Sequence, residues 1–310
     1  MRYIQLVLYI TFFVLTSCSD DDTAVAPDED ADEPIVMKSY DSSLAAPFGA
    51  LDYRVYYPEK RTEETFAVHV SRGGNGIGDD RGALIEYVEG YVQEGYVVVQ
   101  VDHRFGGRDI ERIAQLRGEE IQFIGQQVAQ GTLDYGDFRG RIDGSVQGFA
   151  GHSGGCMEGL MAAGTEMDHG NYHVPQIKAV YGMSPAGYEP DQFGITQTPR
   201  SGYSQIGETA VFVIMGEEEV AINGPGTFMA EDWRLQAFSA MNSAGPRFQA
   251  LVKGSNTDHI DIRGENTQIK RYNIANSLAL FDVHLRGENR GADIGKLALP
   301  DTNDIELRKK

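Results

Sequence analysis

Hydrophobic and polar positions along this chain switch repeatedly between a period of two and a period near 3.6. The switches predict strands alternating with helices. Residues 51–57 (LDYRVYY) alternate and predict an early, half-exposed strand. Residues 65–71 (TFAVHVS) and 96–102 (YVVVQVD) read as buried strands, the second almost continuously apolar. Residues 177–183 and 210–215 repeat that pattern, and 247–253 predict a last strand. Helical spacing covers residues 80–94, 108–130, 231–242 and 266–285. Asp80 is placed to cap the first of these helices and Gly95 to stop it, while Gly118 is a candidate break in the second. Residues 184–209 have little periodicity and predict a loop or small lid, too short for a cap domain. The polar tail from Arg286 onward is expected to fray. The alternation predicts one α/β domain over residues 35–310, with a mostly parallel central sheet flanked by helices.

The sharpest of these switches falls at Gly148-Phe149-Ala150-Gly151-His152-Ser153-Gly154-Gly155. An apolar strand leads in, and a small-residue helical stretch from Cys156 to Ala163 leads out. Gly151 to Gly155 is a G-x-S-x-G pentapeptide in the strand–turn–helix setting of a nucleophile elbow, with Ser153 at the strained tip. Such a tip needs small neighbours, exposes the hydroxyl and leaves the Gly154 N–H available to a substrate oxyanion.

A serine hydroxyl is a weak nucleophile at neutral pH and needs a base held by a carboxylate. In elbow hydrolases the chain order is Ser, acid, His, on loops at the strands' C-terminal ends. His259, in a loop just past the last predicted strand, fits the base; His284 lies inside the closing helix pattern. The acid slot after residues 210–215 holds Glu217, Glu218 and Glu219. Spacing from Gly216 points to Glu219, with Glu218 next and Asp191 an outside candidate; the choice among the three glutamates stays open. The other two are expected in a solvated turn. Gly73 or Gly74, after the strand 65–71, is the candidate second oxyanion donor. His152 is expected to pack beneath the serine, and Cys156 and Trp233 to be packing residues. Asp168, His169 and His173 lack a zinc-like spacing, so no metal is expected there.

Charge and the N-terminus add an address. The 310-residue chain carries a formal net charge of −19, which makes nucleic acid and anionic membrane poor partners. Residues 1–17 read as a signal peptide, with Arg2 ahead of an apolar run too short to span a bilayer comfortably. Residues 18–34 are acidic and predict a disordered tether. Leu15-Thr16-Ser17-Cys18 resembles the lipobox of bacterial lipoproteins, which implies lipidation of Cys18 and membrane attachment through the lipid alone. The acidic run directly after Cys18 also resembles surface-export signals of lipoproteins, implying an outer-membrane or cell-surface location. Cys156 is then the one remaining cysteine, and no disulfide forms within the monomer.

With these residues placed, the chain resembles the α/β hydrolases grouped around platelet-activating-factor acetylhydrolase and dienelactone hydrolase, over roughly residues 51–285. Val70-Ser71-Arg72-Gly73-Gly74 looks like the family's S-H-G-G oxyanion loop, with Arg72 in place of histidine. Gly95-Tyr96-Val97-Val98-Val99 with Val101-Asp102-His103 looks like its G-Y-V-V…D-H strand. Met183-Ser184-Pro185-Ala186-Gly187 looks like the segment after the next strand. The resemblance implies cofactor-free hydrolysis of a small-molecule or polymeric ester through an acyl-enzyme. Ser153 would be the nucleophile, His259 the base and Glu219, replacing the usual aspartate, the acid. The alternatives are a serine peptidase on the same fold and a non-catalytic surface-binding lipoprotein.

Overall fold

Successive side chains of an inner parallel strand face opposite sides of the sheet, so an unbroken apolar run needs a core on each side. In the strand 210–216, Val211, Val213 and Met215 enter one core and Ala210, Phe212 and Ile214 the other. A computed structural model of the protein describes residues 35–74, 81–104, 106–107, 109–221 and 232–310. The signal peptide, Cys18 and acidic tether lie outside the described residues.

Residues Ile35–Lys310 form one compact unit. Its strands are β1 (Met37–Ala46), β2 (Gly49–Pro58), β3 (Glu64–Ser71), β4 (Val97–Val101), β5 (Arg141–His152), β6 (Glu166–Met167), β7 (Gly170–Asn171), β8 (Ile177–Met183), β9 (Ala210–Gly216), β10 (Arg247–Val252) and β11 (Ile305–Lys309). The helices are α1 (Ile85–Gln93), α2 (Ile110–Gln130), α3 (Gly154–Ala162), α4 (Glu217–Ala221), α5 (Trp233–Ala240), α6 (His259–Arg263) and α7 (Thr267–Leu285). The main sheet runs β1-β2-β4-β3-β5-β8-β9-β10-β11. Its six inner strands, β4 to β10, are parallel; β1, β2 and β11 are antiparallel additions at the edges. Side chains of α2, α3 and α5 fill one core and those of α1, α6 and α7 the other. The protein is therefore α/β with a mostly parallel sheet flanked by helices.

From β3 the chain moves outward to β4, then crosses back over β3 to β5. The order reverses between β3 and β5, and the crevice at the carboxyl ends of strands flanking such a switch is where open α/β sheets bind ligands. Register carries this across the sheet: Ser71 pairs with Gly151, and His152 with Met183.

Several elements depart from the sequence expectations. Helix α1 begins at Ile85, behind Leu84 in a left-handed conformation with no side-chain cap, and the expected cap Asp80 lies outside the described residues. Gly118 does not break α2; it lies against Tyr172, whose ring a Cβ would approach to 2.5 Å. The polar tail is not frayed, because its alternating residues complete the sheet as β11 and cover the β10 edge. Inside that tail Ile294 is buried, and Asn276 bonds the backbone at Gly295 and Leu297. Strand β1 has no counterpart among the expected elements; its alternation is too polar to stand out, and it pairs with β2 as a hairpin. No helix among the described residues is long and apolar enough to cross a membrane.

At the opposite, N-terminal end of the strands, Arg247 opens β10 fully buried. Its guanidinium donates to five backbone carbonyls, of Ile206, Gly207, Thr209, Asn242 and Pro246. Burial lowers its pKa to about 10.

Candidate active site

Strand β5 ends at His152, and helix α3 begins at Gly154, leaving Ser153 alone to make the turn. Its backbone sits at φ 57° and ψ −118°, a conformation that costs a non-glycine residue on the order of 1–3 kcal/mol. Sheet and helix hold it there: Ser153 N–H donates to Met183 O at 2.9 Å, and Ser153 O accepts from Met157 at 3.1 Å. The flanking glycines are required by close approach. A Cβ on Gly151 would strike Gly155 O, and one on Gly155 would strike Ser71 O. Gly73 lies directly on the serine, since a Cβ there would fall 2.8 Å from Ser153 Oγ and nearer still to its Cβ. The Gly73–Gly74 turn and the Gly154 N–H thus meet around one hydroxyl.

Glu217, Glu218 and Glu219 form a short helix directly after β9, and each grips a different part of the chain after β10. Glu217 accepts from Gly254 N–H and pairs with Lys253. Glu218 accepts from Thr257 N–H at 2.9 Å. Glu219, its side chain 1% exposed, bonds His259 Nδ1 through Oε1 at 2.6 Å. A solvated turn describes none of them fully; Glu217 and Glu218 are clamps on the segment that carries His259. Glutamate reaches here because its backbone belongs to a helix set back from the imidazole, and its Oε2 takes the Gly216 N–H at 3.2 Å. A carboxylate oxygen only accepts, so His259 Nδ1 carries the proton and Nε2 is left as the basic nitrogen.

His259 opens the one-turn helix α6 rather than lying in a loop. Asp258 caps that helix in a reciprocal capping box with Asp261. His152 does not sit beneath the serine: its ring lies 4.3 Å from that of His259, and its Nε2–H donates to His259 O at 2.9 Å. Burial first, and the neighbouring His259 second, push the His152 pKa well below the ordinary histidine value, so it is neutral. The residue before Ser153 therefore seats the imidazole of His259 beside the elbow. Arg234, from α5, adds a cation behind the pair, with Nη2 3.4 Å from His259 Nδ1 and Nε 3.9 Å from Glu219 Oε1. Its other donor, Nη1, holds the carbonyls of Ser184 and Pro185.

A cavity of about 230 Å³ opens against Ser153 and Gly154. Ile110, Ile113, Ala114, Met157, Met161 and Phe193 make it predominantly apolar, and Arg117 and Gly74 complete the wall. A larger groove of about 870 Å³, between His173, Lys178, Glu208, His284 and Arg286, reaches none of these residues.

Remaining candidates have structural roles. Asp191 accepts from the N–H groups of Phe193 and Gly194, so it folds the loop that supplies Phe193. Asp168 binds Thr196, and His169 binds Tyr172. Among the described residues no group of three or more His, Cys, Asp or Glu could hold a metal. Cys156 is fully buried, and burial raises its thiol pKa. Trp233 is buried and donates to Pro190 O.

Sequence reasoning missed a buried ionic cluster beneath the loop 72–74. Glu158 Oε2, from α3, accepts from Ser71 Oγ at 2.6 Å and from Arg117 Nη1 and His103 Nε2 at 3.2 Å each. His103 Nδ1 donates to Glu120 Oε2 at 2.7 Å, and Arg104 pairs with both Glu119 and Glu120. Burial and Arg117 act to lower the His103 pKa, but Glu158 and Glu120 outweigh them and raise it to about 9. Burial opposes ionisation of Glu158, and His103, Arg117 and Ser71 overcome it to lower its pKa. One signal was legible: Glu158 is the single charged residue in an otherwise small and apolar helix.

No protein-family model matches the chain, and a search of curated proteins finds no match. The chemistry of the site rests on its geometry.

Proposed function

We propose that the protein is a serine ester hydrolase with the α/β-hydrolase arrangement, acting on carboxylic esters whose acyl part is apolar. The observation that carries this reading is the 2.6 Å Glu219–His259 bond, its imidazole packed on the residue next to the strained Ser153. A binding module has no use for a buried carboxylate that fixes an imidazole tautomer beside a strained serine turn.

In this reading the ester carbonyl lies over Ser153 with its acyl group in the apolar cavity. His259 Nε2 takes the Ser153 proton as Oγ attacks the carbonyl carbon, and Glu219 stabilises the imidazolium without itself becoming protonated. The tetrahedral oxygen receives the Gly154 N–H and a donor from the Gly73–Gly74 turn. Collapse expels the alcohol, which takes the proton from His259, and leaves the acyl group on Ser153. Water, deprotonated by the same Nε2, then attacks the acyl-enzyme; collapse releases the carboxylic acid and returns the proton to Ser153 Oγ. Arg234 stands behind Glu219 and the imidazole as a fixed cation. The N-terminal segment, with Cys18 lipidated, would hold this site outside the cytoplasm.

The test compares full-length protein with Ser153→Ala on p-nitrophenyl acetate, butyrate and octanoate. Hydrolysis is expected in the wild type and to fall about 10⁴-fold or more in the variant. Folded wild-type protein that cleaves none of the three, and whose Ser153 is not labelled by a fluorophosphonate, overturns the reading.

A further inference from the structure

We propose that Arg117 is the positioning residue of the oxyanion loop: it holds the carbonyls of Arg72 and Gly74, one residue to either side of Gly73, and thereby sets the turn whose N–H groups serve Ser153. The inference rests on the ester-hydrolase reading, because an oxyanion loop has meaning only there.

Gly73 and Gly74 carry no side chains, and Gly74 adopts φ 127°, open only to glycine. Arg117 restrains the turn from α2, where it also borders the cavity at Ser153, and is itself 2% exposed. Its Nη1 donates to Arg72 O at 3.1 Å, and its Nη2 reaches Gly74 O at 3.4 Å. In a trans peptide the carbonyl and the following N–H point in opposite directions. Holding the Arg72 carbonyl on Arg117 therefore turns the Gly73 N–H to the other side, and Gly73 is the residue that lies on Ser153.

The guanidinium is fixed in turn. Nη1 also donates to Ser71 Oγ at 3.0 Å and to Glu158 Oε2 at 3.2 Å. Ser71 is the last residue of β3, and Glu158 stands five residues beyond Ser153 on the helix that the elbow begins. One planar fork thus ties the strand end, the oxyanion loop and the elbow helix to one another. A lysine ammonium has no such fork and cannot span both carbonyls while keeping Glu158. Since oxyanion donors act on charge that develops only in the tetrahedral species, misplacing them lowers kcat and leaves substrate binding nearly unchanged.

The experiment uses full-length wild type, Arg117→Met and Arg117→Lys with p-nitrophenyl butyrate and with an alkylboronic acid. The boron accepts Ser153 Oγ to form an anionic tetrahedral adduct that samples the oxyanion donors. In Arg117→Met, kcat is expected to fall about 100-fold with KM within about threefold, and boronate affinity to fall with kcat. Arg117→Lys keeps the charge opposite Glu158 and so guards against loss of the fold; its kcat and boronate affinity are expected to fall at least about tenfold, with thermal stability close to wild type. Addition of guanidinium to Arg117→Ala is expected to restore part of kcat. Unchanged kcat and boronate affinity in Arg117→Lys overturn the proposal, as does a change confined to melting temperature in Arg117→Met. A wild type lacking Ser153-dependent hydrolysis is a different result and removes the ester-hydrolase reading itself.

Discussion

Among the described residues two arginines are fully buried, toward opposite ends of the same sheet, and they are satisfied in opposite ways. Arg247, below β10, meets five main-chain carbonyls and no ion pair among the described residues. Arg117, at the upper end, meets carbonyls of the loop 72–74 but also Glu158 and, through it, His103. Burial without a counter-charge lowers the pKa of Arg247, whereas the upper cluster sets positive groups against carboxylates and holds His103 protonated. The lower site joins loop ends to the sheet. The upper site joins parts whose relative placement decides the direction of N–H groups around Ser153. The same guanidinium serves as a fastener in one place and as a positioning device in the other.

Arg247→Met separates the two roles most strongly. It leaves five buried or half-buried carbonyls without their donor, and a loss of about 3 kcal/mol or more is expected in urea unfolding. Kcat per folded molecule should match wild type. A kinetic defect as large as that of Arg117→Met would erase the distinction.

A second, smaller effect follows from charge. His103, facing Glu120 and Arg117 from α2, Glu158 from α3 and Ser71 from β3, is protonated in the folded state up to about pH 9. In the unfolded chain an ordinary histidine loses its proton near pH 6.5. Between those values the folded state binds the extra proton, so stability is complete below about pH 6.5 and declines as pH rises toward 9. The melting temperature should trace that fall, and Glu158→Gln, which removes one of the two carboxylates on His103, should flatten it. A slope unchanged in the variant would place the linked proton elsewhere.

The smallest effect is expected at Gly207. Its carbonyl is one of Arg247's acceptors, its side-chain position is open, and its φ is not left-handed. Gly207→Ala should keep the bond and stabilise by about 0.5 kcal/mol through the unfolded chain. Destabilisation in the same urea assay would show that Arg247 depends on more than the backbone of its partners.

The inner sheet was legible because parallel strands buried on both faces are continuous apolar runs, as in residues 96–102. Strands β1 and β11 were not, since an edge strand needs only half a core and its polar residues read as loop or tail. The candidate site was legible to the extent that its chemistry is local. Ser153 announces itself through glycines that make close approach possible, and Glu219 and His259 through their positions just after strands. What each of three glutamates holds depends on a segment about 40 residues away, and spacing cannot express that. Arg117 and Arg234 were invisible for the same reason. Arg117 looked like one polar position on a polar helix, and its function exists only where α2 passes under the end of β3.

The main-chain cradle of Arg247 also bears on how this sequence can drift over generations. An arginine that reads only carbonyl oxygens places no demand of its own on the side chains at 206, 207, 209, 242 and 246, so changes there need not be matched at Arg247. Around Arg117 the partners include the side chains of Ser71 and Glu158, and His103 and Glu120 lie behind them. Substitutions there must arrive together or not at all. Related chains, when aligned, should show an isolated invariant arginine at the lower end of the sheet and a covarying set at the upper.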